Sequence, residues 1–211
     1  MTGTARPPET VPEQCDKNSP LRVAVIIGSV RDSRVGPTVA SWVEDQIAQY
    51  GQFETDVIDL ATLPLPLVLP AWGSAPDPEA AAVLAELSGR LDAADAFIVV
   101  TPEYNQSLPA SLKNAIDWTG PEWAAKPVGL VSYGGRAAGT RAAEHVRQIL
   151  VALDTVSVYD VVCFPFPKEV FAEGGDPGPE SFAETAKSLL RKLEWWALVL
   201  RDGRRVRPYA S

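Results

Sequence analysis

The sequence predicts a doubly wound α/β domain, a five-stranded parallel sheet with helices on both faces. Three observations carry that reading. Five short apolar runs alternate with amphipathic segments along the chain, which is the pattern of strands buried on both sides and joined by crossover helices. Each run ends in a polar, Pro-containing or glycine-bearing turn before the next helix. The chain has 211 residues, 46% hydrophobic and 22% charged, which suits one globular domain with a sizeable core.

In order, residues 1–20 are rich in Pro, Thr and Glu and have little to bury; they read as a flexible N-terminal extension. The folded domain is expected over 21–201. Arg22 to Ile27 is the first strand. A helix from about Pro37 to Tyr50 follows, with Pro37 suited to its first turn, Gly51 to its C-terminal cap, and Val39, Trp42, Val43 and Ile47 on its apolar face. Phe53 to Leu60 is strand two. Leu63 to Glu79 contains five prolines and must be irregular; a loop of that length is usually functional or an interface. Ala80 to Leu91 is a helix and Ala96 to Thr101 strand three. The next helix starts near Ser107 or Leu108 and reaches Thr119. Pro127 to Tyr133 is strand four, Thr140 to Leu153 its helix, and Val156 to Cys163 strand five. A loop over 164–179 leads to a closing helix, Glu180 to Arg201. The remainder, 202–211, reads as a solvated basic tail.

Composition excludes several functions. The net charge of −8 argues against nucleic acid as a partner. No apolar run reaches the roughly 20 residues of a membrane span, and the N-terminus lacks a signal-peptide core, so a cytoplasmic protein is expected. Cys15 and Cys163 form no CxxC, and His145 is the sole histidine, so neither a disulfide framework nor a metal site is expected. His145 reads as an ordinary helix residue, and Trp195-Trp196 as packing.

Three loops share the carboxyl edge of the expected sheet, where open α/β sheets bind ligands. The first runs from Gly28 to Gly36. A helix N-terminus binds phosphate through free N–H groups; Ser29 and Ser33 add hydroxyls, and Arg31 and Arg34 add charge. It is neither a GxGxxG nor a P-loop. The second is Thr101-Pro102-Glu103-Tyr104-Asn105-Gln106-Ser107, with Asn105 suited to left-handed geometry. The third is Ser132-Tyr133-Gly134-Gly135-Arg136-Ala137-Ala138-Gly139, whose glycines permit close backbone approach. Trp72 needs cover, from a substrate pocket or from a neighbouring subunit. Phe164-Pro165-Phe166 reads as core closure.

Thr101 to Trp118, TPEYNQSLPASLKNAIDW, closely resembles the PEYN-G-S motif of the NAD(P)H-dependent FMN reductases. The first loop is similar to that family's G-S-x-R-x-x-S-x-N, with Arg34 for the second Ser and Gly36 for the Asn. The third is similar to S-x-G-G-R-x-G-G, with Ala138 for one Gly; Gln106 likewise replaces a Gly. The resemblance implies a flavodoxin-like sheet of order 2-1-3-4-5. It implies FMN bound by Ser29, Arg31, Ser33, Arg34, Val35 and Gly36 at the phosphate. It places Pro102 to Asn105 (Pro102, Glu103, Tyr104, Asn105) and Ser132 to Arg136 (Ser132, Tyr133, Gly134, Gly135, Arg136) along the ring. It further implies hydride transfer from NADPH or NADH to flavin and on to free flavin, a quinone or another small-molecule electron acceptor, with no catalytic acid or base. A homo-oligomer, dimer or dimer of dimers, follows from the same likeness, as does supply of reduced flavin to a monooxygenase. Lys113, Asn114, Asp117 and Trp118 complete the motif without a catalytic role. Lys113 and Asp117 are spaced to pair. The alternatives are a quinone or azo reductase with tightly bound FMN, a flavodoxin-like electron carrier, and a non-flavin enzyme of the same fold with Glu103 as nucleophile.

Overall fold

A computed structural model describes residues 20–172 and 180–209. Cys15, nearly all of the expected N-terminal extension and part of the loop over 164–179 lie outside those residues.

The strands are β1 (Leu21–Ile27), β2 (Phe53–Asp59), β3 (Ala96–Pro102), β4 (Pro127–Gly134) and β5 (Val156–Pro165). They form one sheet in the order β2-β1-β3-β4-β5, with every pairing parallel. β3 is buried at all seven positions, as its uninterrupted apolar run demands. The helices are α1 (Gly36–Tyr50), α2 (Pro78–Ala93), α3 (Ala110–Trp118), α4 (Thr140–Val151), the short α5 (Pro167–Val170) and α6 (Glu180–Val206). α1 and α6 cover one face, packing on Val23, Val25, Ile98, Val100 and Val131. α2, α3 and α4 cover the other, against Ala24, Ile26, Phe97, Val99 and Leu130. The expected doubly wound arrangement is present, and Gly51 caps α1 at φ 75° as its position foretold.

Three boundaries differ from the expectation for physical reasons. α3 begins at Ala110, not near Ser107, because Pro109 is held extended before it and the Tyr104–Ser107 segment folds into its own turn. β2 ends at Asp59, and Leu60–Thr62 forms one 3₁₀ turn capped by the Asp59 carboxylate. α6 runs to Val206, so the basic stretch expected as a solvated tail from 202 belongs largely to a helix. Arg201 is buried against Asp95 at 3.3 Å, and Arg204 donates to the Ala125 carbonyl. Trp195 is exposed, whereas Trp196 packs on the core. Among the described residues no helix is long and apolar enough to cross a membrane.

Candidate functional site at the carboxyl edge of the sheet

The loops after β1, β3 and β4 lie together at the carboxyl ends of three adjacent strands, with the reversal of strand order between β1 and β3 beneath them. They are tied to one another. Gly28 N–H donates to the Val100 carbonyl at 2.9 Å, and Ser111 Oγ donates to the Gly28 carbonyl at 2.6 Å. Ser29 Oγ and the Tyr104 hydroxyl lie 3.1 Å apart, joining the first loop to the second. Glu103 N–H donates to the Tyr133 carbonyl at 3.0 Å, joining the second to the third.

The first loop ends at an open helix terminus. Val35 occupies the cap position of α1 with no side-chain cap, and no acidic residue stands in the first turn. The leading N–H groups of α1 and its partial positive charge therefore have no side-chain anion from this turn. Behind them sits the Tyr133 hydroxyl, 5% exposed as a residue, with the Ser29 hydroxyl near it but no well-formed hydrogen bond. A Cβ on Gly36 would lie 3.0 Å from that oxygen and 2.9 Å from Ile27, so Gly36 lets the helix end approach β4. Burial pushes the Tyr133 pKa up, with the neighbouring Ser29 hydroxyl pulling the other way, so the phenol stays protonated and able to donate.

The two arginines of this loop separate. Arg34 is engaged within the chain: it grips Asp59 with two 2.6 Å bonds and donates to the Ser29 carbonyl at 2.8 Å. Burial raises the Asp59 carboxyl, but bonds from Arg34 and the Ala61 N–H outweigh it and the net shift is downward. Arg31 is exposed and stands over the Tyr104 ring at 5.8 Å.

In the second loop, Tyr104 and Ser107 exchange backbone hydrogen bonds at 2.9 and 3.0 Å around Asn105 and Gln106, both at positive φ, 50° and 67°. That is a two-residue primed turn, normally an Asn-Gly site. Glu103 turns away from the chemistry expected of a nucleophile. Its carboxylate accepts from the Arg141 N–H at 3.1 Å and the Arg141 guanidinium at 2.8 Å, closing the start of α4. His145, read from the sequence as an ordinary helix residue, has its Nδ1 2.8 Å from Ser107 Oγ.

The third loop turns on Gly139 rather than on the Gly134-Gly135 pair. A Cβ at Gly139, where φ is 84°, would lie 2.6 Å from Tyr133 N and 2.9 Å from Tyr133 O. At Gly135 a Cβ would meet nothing, and at Gly134 only the Gly139 backbone closely. Ala138 sits at φ 53°, and its carbonyl accepts from Ser132 Oγ at 3.1 Å. Arg136 and Gly135 are exposed at the tip.

Sequence reasoning missed Asp59 and Arg141, and it placed Gly139 in the third loop without separating it from Gly134 and Gly135. Asp59 carried a usable signal, as a carboxylate at the end of a strand on the ligand-binding edge. Trp118 and Asn114, which complete the motif without a catalytic role, donate to the Pro66 carbonyl at 2.8 and 3.2 Å and pin the Pro-rich loop. Lys113 and Asp117 pair at 2.6 Å as their spacing implied. Trp72, expected to be covered, is fully exposed beside exposed Leu67, Val68 and Leu69. A cleft of about 330 Å³ lies between this loop, Val30, Ser111 and Asn114. A larger cleft, about 760 Å³, lies between α1 and α6 and touches none of the expected site residues.

Residues 21–168 match the family described as NADPH-dependent FMN reductase. The chain is 37% identical over 139 residues to an NAD(P)H-dependent FMN reductase of Schizosaccharomyces pombe, covering 64% of this chain and 68% of that one. It is 31% identical to an NADPH:quinone oxidoreductase of Arabidopsis thaliana, over 85% of this chain and 93% of that one. Among solved structures, the flavoenzyme NAD(P)H:(acceptor) oxidoreductase FerB of Paracoccus denitrificans superimposes with a TM-score of 0.65 at 25% identity, over 84% of this chain and 97% of that one.

Proposed function

The chain belongs to the NADPH-dependent FMN reductase family, and from that premise we propose that its three carboxyl-edge loops hold FMN for an NAD(P)H-dependent reduction of a small acceptor. The observation that carries the assignment is the buried, unpartnered Tyr133 hydroxyl behind the uncapped start of α1. A buried donor without a partner is costly in a protein interior, on the order of 1–3 kcal/mol. An anionic group at the helix terminus would supply that partner and meet the N–H groups of Val35 and Gly36 as well.

The donor set fits FMN. Arg31 and Ser33, exposed beside the helix end, would meet the phosphate from solvent. Arg34 braces the loop through Asp59, a change from the direct phosphate contact the resemblance implied. Ser29 orients Tyr104, which would cover the ring. Backbone from Pro102 to Asn105 and from Ser132 to Arg136 would follow its polar edge, with Gly134 and Gly135 allowing close approach. When bound, FMN supplies hydride chemistry between the nicotinamide and the acceptor. The protein's part is to hold the ring flat, exclude water from one side and place the nicotinamide in contact with the other. No acid–base residue is required, and Glu103 serves as the α4 cap.

NADPH is the favoured donor and a quinone or free flavin the favoured acceptor; the likeness to the Arabidopsis quinone oxidoreductase over most of the chain supports the quinone. Reduced flavin leaving the site would supply a monooxygenase. We further assign the exposed Leu67–Leu69 and Trp72 to a contact with a second copy, as the apolar cluster is anchored to α3 through Pro66.

The test is an anaerobic visible spectrum of the protein with FMN, before and after NADPH. Bleaching of the protein-bound flavin within the mixing time is the expected result. Bound flavin that NADPH leaves oxidised would replace the reductase reading with an electron carrier.

A further inference from the structure

Two side chains of α4 reach across to the second loop. Arg141 and His145 stand four residues apart, on one face of the helix. The Arg141 guanidinium donates to the Glu103 carboxylate at 2.8 Å, and the Arg141 N–H donates to the same carboxylate at 3.1 Å. One helical turn further on, His145 Nδ1 lies 2.8 Å from Ser107 Oγ. Glu103 directly precedes the Tyr104–Ser107 turn, and Ser107 closes it. Residues four apart on a helix have Cβ atoms about 5–6 Å apart. A hydrogen-bonded strand pair has its Cα atoms about 5.5 Å apart. The face of α4 therefore matches the width of the turn and grips it at both ends.

The turn needs that grip. Asn105 and Gln106 sit at φ 50° and 67°. Asn tolerates this region and Gln does not, so the strain gathers at Gln106. Both residues are exposed, and core packing does not hold them. Strained backbone persists only where its surroundings over-determine it. The Glu103 side chain is 10% exposed, which sets its bond to Arg141 apart from an ordinary surface pair. Glu144, beside His145, leans to Arg147 at 3.6 Å and leaves Arg141 to Glu103. α4 itself starts at Gly139, where the third loop is pressed against Tyr133. Through α4 the second and third loops are held as one unit.

We propose that Arg141 and His145 are positioning residues, a two-point clamp that holds the strained turn of the second loop in the shape that receives the flavin ring. Arg141 acts through Glu103 and His145 through Ser107, and neither touches the reacting atoms. The clamp is what allows Gln106 to stand where a primed turn normally has glycine. The step from clamp to flavin rests on the reading of the three loops as the FMN site; the hold on the turn does not.

The experiment is amide hydrogen exchange by NMR on the full chain without flavin, beside an FMN titration. His145→Ala, His145→Asn, Arg141→Ala, Gln106→Gly and the double variant Q106G/H145A are compared with the wild type. Loss of one hydrogen bond of ordinary strength should speed exchange at the Tyr104 and Ser107 amides about three- to tenfold and weaken FMN binding by a similar factor. Amides of β3 should keep their rates, which separates a released turn from a damaged fold. His145→Asn carries a nitrogen and an oxygen at the reach of Nδ1 and should restore both readings. With the strain removed by Gln106→Gly, His145→Ala should cost less than in the wild type. Exchange at Tyr104 and Ser107 that neither alanine variant changes overturns the proposal. So does an asparagine variant no better than alanine, or a cost of His145→Ala that Gln106→Gly leaves undiminished. Faster exchange with FMN affinity unchanged overturns the link from clamp to flavin. A wild type that binds no FMN removes the site reading, and the exchange rates still decide whether α4 holds the turn.

Discussion

The two ends of this sheet are built on opposite principles. At the amino edge, charged groups are buried or half-buried and paired: Asp95 accepts from the Arg22 N–H and faces Arg201 and Arg204, while Lys126 donates to the carbonyls that close α2. At the carboxyl edge, a helix terminus is uncapped, a buried phenol has no partner, and non-glycine residues sit at positive φ in all three loops: Ser33, Asn105, Gln106 and Ala138. Strain and unmet hydrogen bonds persist only where the surroundings hold them in place, and they collect at binding sites. Perturbed ionisation does not discriminate in the same way. Lys126, at the structural end, has its pKa pulled down to about 8 by burial and by Arg204. Positive φ does not discriminate either, since Ala125 and Asp154 hold it at the amino edge; the uncapped helix end and the orphaned phenol mark this site better than a shifted pKa or backbone strain does.

The largest effect should come from Gly139→Ala. The added methyl would meet the backbone of Tyr133 at 2.6 Å, in a conformation that side chains disfavour. We expect a loss of roughly 3 kcal/mol from overpacking and left-handed strain together. FMN affinity should fall with it, while Gly135→Ala, where nothing stands in the way, should keep the fold. Urea unfolding and FMN titration of both variants check this. Equal stability would mean that the third loop is not held against β4 through Gly139. Next in size is Asp95→Ala, which removes the carboxylate facing Arg201 and Arg204 and the acceptor of the Arg22 N–H. About 2 kcal/mol of stability should go, with FMN affinity unchanged. A matching loss of FMN affinity would break the separation between the two edges.

The fold was legible because its signal is local and repeated. A run such as Ala96 to Val100 declares a strand buried on both faces without reference to anything distant. The site was half legible. The loops announced themselves by Ser, Arg, Asn and Gly at strand ends, but the division of labour within them depends on long-range pairs. Arg34 is spent on Asp59, 25 residues away, and Glu103 on Arg141, 38 away. No local pattern separates Arg34 from Arg31. The end of α6 was misread for the same reason. Arg201 and Arg204 look like solvated charge until Asp95, over a hundred residues earlier, is placed beside them. The Gly134-Gly135 pair drew the eye by its composition, yet the glycine the backbone requires is Gly139.

A smaller effect tests the amino edge by pH. Lys126 has its ordinary value of 10.5 in the unfolded chain and about 8 in the folded one. Between those values the unfolded chain binds more protons, so stability rises with pH across the window. From pH 8 to 9 the gain is about 1 kcal/mol by linkage. Lys126→Met should flatten that stretch of the profile. A stability that falls over the same range in the wild type, with no difference in the variant, would show the ammonium to be better solvated than its 5% exposure indicates.

The smallest effect bears on the strained side of the comparison. Gln106 holds φ at 67° in a turn whose second central residue is normally glycine. Gln106→Gly relieves left-handed strain of about 1–2 kcal/mol, and part of that gain is lost because glycine is freer in the unfolded chain. A net stabilisation of about 0.5–1 kcal/mol remains, a rise in Tm of a few degrees for a chain of this size. The Tyr104–Ser107 backbone pair survives the change, so FMN affinity should hold within a small factor. If the variant is instead less stable, the Gln106 side chain contributes at the open groove it shares with Arg141, His145 and Gln148. The strain would then be retained for a contact made there rather than tolerated as a departure from glycine.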